Sequence, residues 1–402
     1  MTLTNDAFIL AVNCGSSGLK FGLYGQKDLQ RTLSGYAATD SAGKTHFILQ
    51  DEKGEFWANH PLSKTGVQPG IRELIGWLSD HHSRYPVGTV VHRIVQGGPK
   101  HREPELVSEE LLKELQHYAY LAPNHIPDEI KSIKAFQEAF PGAAAVVCFD
   151  TYFHKDLPDV TQYFPLPGKF QKAGLIRYGF HGLSYEFVVG KLQKKYPKLA
   201  RKKLIIAHLG SGASMTAVCN GRSIDTTMGL SPLGGLVMGT RSGDLDPGVI
   251  LYLLRKEKLS VDEIDELLSE QSGLKAIAGS GDMESLIKSS ENDPRAKLAV
   301  RVFSYAVKKT IGALAAAMGG LDTLVFTGGI GENAPLIRAH CCEGLEFLGL
   351  KFSHRRNDEG RQWISKSDSK VKIGVLKTDE AAIMVKHARA LISNLKHHEY
   401  VK

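Results

Sequence analysis

The 402-residue sequence has only five cysteines, and none of them has the spacing of a metal site. Three lie within or beside apolar runs of β-strand type, and the other two are adjacent to each other: Cys14, Cys148, Cys219, Cys341 and Cys342. An odd number of thiols in apolar surroundings indicates reduced, buried side chains rather than disulfide bonds. We therefore assign neither a metal nor a redox reaction to the cysteines.

Long hydrophobic runs are also missing. The longest weakly polar stretch, 311–321, is too short to span a bilayer, and the apolar residues 8–12 lack the basic flank and cleavage site of a signal peptide. These absences favour a cytoplasmic protein without membrane contact. With 42% hydrophobic and 23% charged residues, the composition is that of a globular protein, and the length predicts two domains.

Positive charge is in modest excess, at a formal +7. The densest basic stretch, 191–203, is interrupted by Pro197 and contains Tyr196 as its single aromatic residue. Surfaces that bind nucleic acids usually combine basic clusters with several aromatic side chains. We interpret this stretch as a solvated helix and turn, and we expect no nucleic-acid partner.

Two familiar nucleotide-binding motifs are absent, G-x-x-x-x-G-K-[ST] and G-x-G-x-x-G leading into a helix. Instead, three apolar runs lead into glycine-rich turns, within 9–20, 204–214 and 324–333. Small residues let backbone N–H groups close on an anion, which predicts phosphate binding. Strand-type residues follow the first two turns, so hairpin turns rather than helix N-termini would hold the phosphate. Lys20 either meets a phosphate oxygen or is an ordinary exposed strand lysine.

Strand and helix patterns alternate along the chain, and the same order of strand, small-residue turn and strand occurs near Gly15 and near Gly210. This repetition favours a duplicated α/β architecture over one doubly wound sheet. Helical spacing is found between the strands, at 74–78, 111–120, 130–140, from about 184, and 380–395. Residues 122–127 are predicted to form a loop.

Two further helices have end signals. Ser260 and Glu263 form a capping box, and Gly273 is predicted to close the helix that begins there. Pro294 fits the first turn of the other helix.

Two arginines lie beside glycine-rich turns or loops, a sequence position that is typical of arginines acting in phosphoryl transfer. Arg93 follows a strand and precedes two glycines, and Arg241 lies in the ordered loop 225–247, which is rich in Gly, Ser and Thr. Guanidinium groups neutralise the charge that spreads over a transferring phosphoryl group. The alternative is that each arginine pairs with a buried carboxylate.

Acidic residues and histidines complete the candidate chemistry. Asp150 ends a strand and Glu380 begins a helix, so each is either a Mg²⁺ ligand or an ordinary helix-terminus acid. His125, His181 and His208 stand among small residues. Each fits a hydrogen-bonded structural histidine, and for His181, between Phe180 and Gly182, the alternative is a hydrogen-bond donor to a developing phosphoryl charge.

In this order, the motifs resemble those of the acetate kinase family, which includes propionate kinases and belongs to the acetate and sugar kinase, Hsp70 and actin superfamily. The matching motifs extend over nearly the whole chain: Asn13-Cys-Gly-Ser-Ser with Lys20, Val91-His-Arg93 with Gly97-Gly98, Leu121-Ala-Pro with His125, Phe149-Asp-Thr151, Arg177-Tyr-Gly-Phe-His-Gly182, His208-Leu-Gly, 227–247, Gly329-Ile-Gly-Glu-Asn333, and Thr378 with Glu380.

The resemblance implies a duplicated actin-like ATPase (ribonuclease H-like) fold of two domains with a cleft between them. Residues 1–152 plus 382–402 would form the acyl and phosphate side, and 153–381 the nucleotide side. It also implies a homodimer and a reversible, Mg²⁺- or Mn²⁺-dependent transfer of a phosphoryl group between ATP and a short-chain carboxylate, giving an acyl phosphate and ADP.

Site residues follow from the matched positions. Asn13, Asp150 and Glu380 would arrange the metal ion. Arg93, Arg241 and His181 would stabilise the transition state. The remaining roles are phosphate and nucleotide binding for Lys20, Ser16, His208, Gly210, Gly212, Asp282, Gly329, Gly331 and Asn333, and the acyl pocket for Val95, Asn124, His125, Phe180 and Pro232.

Some residues depart from the family pattern. Gly18 replaces a usual serine in the first turn, and Ser211 replaces an asparagine in the second. Asn124 stands at an apolar position of the acyl pocket, and because a buried amide needs a partner, we expect an acid with a polar group of its own.

Glu284 stands at the position of an arginine near the base and ribose, which leaves GTP or pyrophosphate open as the donor. Propionate or butyrate remain alternative acceptors. A phosphohydrolase or a nucleotide-driven binding protein is the more distant alternative.

Overall fold

The computed structural model describes residues 7–15, 18–40 and 43–400, without the side chains of 395–400. The chain forms two compact units. Unit 1 comprises the residues up to Tyr152 together with those from Asp379 onwards, and unit 2 comprises Phe153–Thr378. Each unit contains one β-sheet with its own hydrophobic core.

Unit 1 contains an eight-stranded sheet in the order β5-β4-β3-β2-β1-β6-β8-β7. Strands β1 to β5 form an antiparallel meander, β6 and β8 continue the sheet in parallel with β1, and the short β7 is antiparallel to β8. The strands are β1 Phe8–Gly15, β2 Gly18–Gly25, β3 Arg31–Thr39, β4 Thr45–Asp51, β5 Phe56–Pro61, β6 Val87–Ile94, β7 Glu105–Leu106 and β8 Ala144–Phe149.

Three helices follow the strands of unit 1 in the first part of the chain: α1 Val67–Asp80, α2 Glu109–His117 and α3 Ile126–Ala139. Helices α1 and α3 pack on the sheet, where Leu74 and Phe136 join a core that includes Leu10, Val12 and Phe21. Strand β1 is a nearly continuous buried run, as expected of a central strand that is covered on both faces.

Unit 2 contains a five-stranded sheet in the order β11-β10-β9-β12-β13. Its strands are β9 Lys203–Leu209, β10 Ala213–Cys219, β11 Arg222–Thr226, β12 Thr323–Thr327 and β13 Lys372–Val375. Its helices are α4 Asp159–Gln162, α5 Gly168–Lys172, α6 Gly182–Lys195, α7 Pro197–Ala200, α8 Pro247–Arg255, α9 Val261–Glu270, α10 Gly273–Ala278, α11 Met283–Ser289, α12 Pro294–Met318, α13 Gly328–Asn333, α14 Pro335–Cys342 and α15 His354–Asp358.

The two sheets share one plan. The order β3-β2-β1-β6-β8 in unit 1 matches β11-β10-β9-β12-β13 in unit 2, with two antiparallel pairs followed by two parallel pairs in each. The first and second glycine turns join equivalent hairpins, β1 to β2 and β9 to β10. The prediction of hairpin turns at these two sites is therefore confirmed.

The last helix of the chain, α16 Glu380–Tyr400, belongs to unit 1. It packs against β1, β6 and β8 and thus covers the central strands of the first sheet. Its buried residues include Met384, Val385 and Ala388. None of the helices that the structure describes is both long enough and apolar enough to cross a bilayer.

Two of three helix-end signals lie where the sequence predicts them. The capping box at Ser260 is present, and Pro294 begins α12, so both predictions are confirmed. The prediction for Gly273 is wrong: α9 ends at Glu270, and Gly273 begins α10 with a φ of 65°. A β-carbon at Gly273 would lie 2.2 Å from the carbonyl oxygen of Met238, so the close approach of backbone explains this glycine.

Two other segments differ from the sequence expectation. The predicted loop 122–127 is shorter, because α3 already begins at Ile126. The third glycine run was predicted to be a turn after an apolar strand, and it forms the short helix α13 directly after β12 instead.

The cysteines are free thiols, and four of them are buried while Cys219 is partly exposed. Burial raises the pKa of Cys14 to about 12, which keeps this thiol protonated.

Candidate functional site

The first glycine turn connects β1 to β2 in unit 1. Gly18 has a φ of 131°, and a β-carbon there would lie 2.2 Å from the carbonyl oxygen of Ala37. No other residue fits this backbone without displacing β3, so the geometry of the hairpin accounts for the departure at Gly18. Lys20 is exposed on β2 and lies opposite Asn13 in the register. Ser16 lies outside the described residues.

Four predicted residues of unit 1 form one hydrogen-bonded group, which we call the Arg93 cluster: Asn13, Arg93, Asp150 and Glu380. The first three lie at or just beyond the carboxyl-terminal ends of β1, β6 and β8, and Glu380 begins α16. Because these strands are parallel, their carboxyl ends meet at one edge of the sheet, where ligands of α/β proteins usually bind.

Arg93 organises the cluster. Its Nε donates to Oδ1 of Asp150 at 2.9 Å and its Nη2 to Oδ2 at 2.5 Å, which makes the ion pair bidentate. Its Nη1 donates to Oδ1 of Asn13 at 3.3 Å, and Nδ2 of Asn13 donates to Oε2 of Glu380 at 3.4 Å. Arg93 thus pairs with a buried carboxylate in the structure, and its role in phosphoryl transfer stays a prediction.

Negative charge exceeds positive charge around Arg93. Burial and the charge of Asp150 raise the pKa of Glu380. Burial also raises the pKa of Glu129 to about 8, although Arg93 partly opposes this effect. Three buried or half-buried carboxyl groups thus share one guanidinium, a distribution that favours an added cation or proton.

Glu129 was missed by sequence reasoning. It lies in α3, its side chain is buried, and both of its carboxylate oxygens accept the backbone N–H of Val95, at 3.2 and 3.3 Å. The sequence does contain a signal, because Glu129 falls on the apolar stripe of α3 between Ile126 and Ile133. A carboxyl group on the buried face of a helix is rare unless it has a function or a partner.

The donor set of the Arg93 cluster fits a magnesium-type ion. Two carboxylates and one amide oxygen are hard ligands, and each oxygen of Asp150 keeps a lone pair beside its bond to Arg93. Within the described part of the chain, no group of three His, Cys, Asp or Glu side chains could hold a metal ion. Asp150, Glu380 and the amide oxygen of Asn13 are the residues that would hold such an ion.

The residues predicted for the acyl pocket belong to both units. In unit 1, Val95 is buried and His125 is half-buried immediately before α3. Asn124 is exposed, so the premise of a buried amide is wrong, and the argument for a polar acid fails with it. In unit 2, Phe180 is buried, and the carbonyl of Pro232 accepts a hydrogen bond from Arg241 at 3.3 Å.

A second group of side chains, the His181 cluster, lies in unit 2: His181, His208, Ser214, Gly212 and Arg241. The rings of His181 and His208 are stacked with centroids 4.3 Å apart. A β-carbon at Gly212 would lie 3.3 Å from Nε2 of His181 and 3.7 Å from Nη1 of Arg241. The second glycine turn therefore lies directly against an imidazole and a guanidinium, which is an arrangement suited to an anion.

His181 is held in a strained backbone conformation. Its φ of 58° is left-handed, and it forms the N-cap of α6. Nδ1 bonds to Oγ of Ser214 at 2.8 Å, and the hydroxyl of Tyr185 bonds to the same oxygen. Left-handed non-glycine residues cost free energy and occur preferentially at functional sites. Sequence reasoning missed Ser214 and Tyr185, which resemble ordinary strand and helix residues.

The second glycine turn is closed by a hydrogen bond from the N–H of Gly210 to the carbonyl of Gly212, at 3.1 Å. The third glycine segment forms α13. Nδ2 of Asn333 donates to the carbonyl of Gly329 at 2.9 Å, and Gly331 is buried.

A buried arginine, Arg338, holds the end of α13. Its Nη1 donates to the carbonyls of Gly331 and Glu332, each at 2.9 Å, and its Nε donates to Oδ1 of Asn357 at 2.8 Å. Burial lowers the pKa of Arg338, and its positive charge complements the C-terminal carbonyls of the helix. No sequence motif pointed to Arg338, because the pattern of α14 predicts only an amphipathic helix.

Two residues predicted near the nucleoside have local partners. Asp282 is the N-cap of α11 and accepts the N–H of Ser285 at 2.9 Å. Glu284 is exposed and pairs with Lys288 at 2.6 Å, one helical turn further on. The charge of Glu284 is thus already balanced at the surface of α11.

The sequence pattern of the Acetokinase family matches residues 8–386. The chain belongs to the acetokinase family. Two curated relatives are acetate kinases: that of Caldanaerobacter subterraneus is 39% identical over 96% of this chain and all of the relative, and that of Nitrobacter hamburgensis is 40% identical over 96% of each.

Solved structures of acetate and propionate kinases are similar to this chain. A propionate kinase from Francisella tularensis superposes with a TM-score of 0.88 at 34% identity, and the acetate kinase from Porphyromonas gingivalis superposes with 0.84 at 33%. Each match covers 96% of this chain and the whole of the other chain. The predicted fold class, a duplicated actin-like fold, is confirmed.

Members of the acetokinase family are phosphotransferases that act on a carboxyl group, so the predicted enzyme class is confirmed. The family uses a nucleotide co-substrate and a divalent metal ion.

Proposed function

We propose that this acetokinase transfers the γ-phosphoryl group of ATP reversibly to a short-chain carboxylate, giving an acyl phosphate and ADP, with Mg²⁺ or Mn²⁺ as the metal ion. The observation that carries the proposal is the agreement between family membership and the two charged clusters. The Arg93 cluster combines carboxylates with a guanidinium, and the His181 cluster places an imidazole and a guanidinium against a glycine turn.

In unit 1, we assign the metal ion to Asn13, Asp150 and Glu380. When bound, the ion would neutralise charge on the nucleotide phosphates. Arg93 is assigned to the transferring phosphoryl group, and its bidentate bond to Asp150 fixes the plane of the guanidinium. Preorganisation of this kind lowers the barrier because the donors need not reorient during the reaction.

In unit 2, His181 and Arg241 are assigned to the charge that develops on the phosphoryl oxygens. The acceptor is already a carboxylate, so the reaction needs positioning and charge neutralisation rather than a strong base. The phosphate and nucleoside groups are assigned to Lys20, Ser16, His208, Gly210, Gly212, Asp282, Gly329, Gly331 and Asn333.

Acetate and propionate are the acceptors that we propose, because the relatives with known structures carry these two names. Val95, Asn124, His125, Phe180 and Pro232 are assigned to the acyl pocket. Since the charge of Glu284 is balanced by Lys288, we also retain ATP as the donor.

We also propose a homodimer in the cytoplasm. Helix α8 supports the dimer, because its sequence is almost entirely apolar and none of its residues is buried. Val249, Leu251, Tyr252 and Leu254 are each at least 38% exposed. A contiguous apolar surface of this kind usually marks a protein interface.

Hydroxamate trapping of the acyl phosphate tests the proposed function. We expect product from acetate or propionate with ATP and Mg²⁺, and little with GTP or pyrophosphate. Arg241→Ala should lower kcat by roughly 10³-fold, in line with arginines that act in phosphoryl transfer. Arg301→Ala, at an exposed position on α12, serves as the matched control. Phosphate release without any acid, and no hydroxamate with any acid, would refute the proposal and identify a phosphohydrolase.

A further inference from the structure

His208 is joined to α13 by a chain of hydrogen bonds through two residues to which no role has been assigned. Nδ1 of His208 lies 2.8 Å from Oγ of Ser184, and this hydroxyl donates to Oγ1 of Thr378 at 2.9 Å. The backbone N–H of Thr378 donates to Oε1 of Glu332 at 3.3 Å. Ser184 is one of the buried residues in the first turn of α6, and Glu332 lies in α13.

The direction of these bonds determines the tautomer of His208. A serine hydroxyl has one hydrogen, and that of Ser184 is used in the bond to Thr378. Oγ of Ser184 must therefore accept from His208, so Nδ1 carries a proton. The other nitrogen, Nε2, would lie 3.9 Å from a β-carbon at Gly210, which means that it faces the second glycine turn.

Glu332 holds the end of this hydrogen-bond series that is remote from His208. The same oxygen, Oε1, accepts from the N–H of Gly328 at 3.1 Å and from the hydroxyl of Thr327 at 3.4 Å, in addition to Thr378. A carboxylate that accepts several hydrogen bonds holds its donors firmly, because bonds to a charged acceptor are stronger than neutral ones. The first residues of α13 and the backbone of Thr378 are thereby tied together.

We propose that Glu332, Thr378 and Ser184 are positioning residues that keep the proton of His208 on Nδ1 and direct Nε2 towards the second glycine turn. The proposal rests on the proposed function in one respect, the assignment of His208 to the phosphate groups. We call these three residues, together with His208, the relay.

NMR of protein labelled with ¹⁵N-histidine tests the tautomer without any assay of activity. The chain contains 16 histidines, and comparison with a His208→Gln variant assigns the signal of His208. At a pH where the ring is neutral, we expect the two-bond ¹H–¹⁵N pattern of the Nδ1–H form. A wild-type spectrum with the proton on Nε2 would overturn the proposal, whether or not the protein is a kinase.

Substitution of Thr378 tests the relay itself. Thr378→Val removes the hydroxyl and keeps the backbone N–H, so we expect a mixed tautomer signal and a loss in kcat of roughly tenfold, the size usual for groups that orient a functional side chain. Thr378→Ser should restore both properties. The matched control is Thr323→Val, because the buried hydroxyl of Thr323 has no hydrogen-bond partner.

Ser184→Ala provides a second variant in case Thr378→Val does not fold. It should shift the tautomer signal of His208 in the same direction and lower kcat by a similar factor. If both folded variants keep the wild-type tautomer signal and the kcat of Thr323→Val, the relay does not position His208 and the proposal is wrong. An inactive wild type with the expected spectrum would contradict the proposed function alone.

Discussion

Glu129 gives unit 1 a stability that depends on pH. The carboxyl group is buried against the N–H of Val95, with Arg93, Asp128 and Asp150 as the charged groups that influence it. Burial raises its pKa from an ordinary 4.5 to about 8. The folded state therefore binds the proton of Glu129 more tightly than the unfolded state does. The contribution of this proton to the stability of unit 1 is fully present below pH 4.5 and is lost as the pH rises towards 8.

The magnitude follows from the two pKa values. Each pH unit between them corresponds to about 1.4 kcal/mol, so the loss between pH 4.5 and pH 8 is at most about 5 kcal/mol. Glu129→Gln removes the titration and keeps an oxygen that accepts from Val95. The new amide hydrogens lack a designed partner and cost about 1–3 kcal/mol, but this cost does not vary with pH. The informative quantity is therefore how the difference in free energy of unfolding between Glu129→Gln and wild type changes with pH.

The assay follows the unfolding of unit 1 alone. The chain has three tryptophans, of which Trp57 and Trp77 belong to unit 1. In a Trp363→Phe background, fluorescence during urea unfolding reports on unit 1 and avoids the assumption that both units unfold together. From pH 5 to 8, we expect the free energy of unfolding of the reference to fall by about 1.4 kcal/mol per pH unit relative to that of Glu129→Gln. Above pH 8, the difference between the two should become constant.

The control is Glu138→Gln, on the exposed face of the same helix, whose free energy of unfolding should stay at a constant offset from the reference. Parallel curves for Glu129→Gln and the reference between pH 5 and 8 would refute the reasoning, because they would mean that Glu129 titrates alike in the folded and unfolded states.

Three further substitutions have defined outcomes. Gly18→Ser should destabilise unit 1 by more than about 2 kcal/mol in urea unfolding, because its β-carbon meets the backbone of β3, whereas Gly54→Ser, at an open turn, should cost less. Leu251→Glu should lower the molar mass in light scattering from that of a dimer to that of a monomer, and a monomeric wild type would contradict the proposed interface. Arg338→Met should cost about 2–4 kcal/mol by the fluorescence of Trp363, because two buried carbonyls of α13 lose their donor. An unchanged free energy of unfolding would show that water replaces the guanidinium.

The sequence predicted the parts of the fold that depend on short-range patterns. The hairpin turns, the capping box at Ser260 and the first turn at Pro294 are encoded by a few neighbouring residues, and the structure confirms them. Gly273 was placed at the wrong end of a helix because its conformation depends on Met238, which is distant in sequence. A positive φ that is set by a tertiary contact leaves no local pattern.

In the candidate site, too, single residues were predicted from local patterns, whereas their contacts depend on the fold. Arg93 and Asp150 were recognised separately from their positions at strand ends, but their bidentate pair follows only from the parallel register of β6 and β8. The assignment of residues to metal, phosphate and acyl group remains a prediction. The expectation for Asn124 failed because the sequence cannot show which way a residue before a helix points. Glu129 was missed although it falls on the apolar stripe of α3, because an acidic residue at such a position is ordinarily assigned to the exposed face.

Unit 1 is built from two segments of the chain that are separated by the whole of unit 2, and this affects the order in which its parts are synthesised. Its sheet is synthesised before unit 2, and α16, which packs against β1 and β6, is synthesised only after unit 2. Throughout the synthesis of unit 2, one face of the first sheet lacks its helix, and Asn13 lacks the carboxylate of Glu380. The Arg93 cluster is therefore completed only when Glu380 has been synthesised after unit 2. Until then, the apolar strands that α16 covers stay exposed, and exposed hydrophobic surface of this kind is what makes incompletely folded chains need chaperones.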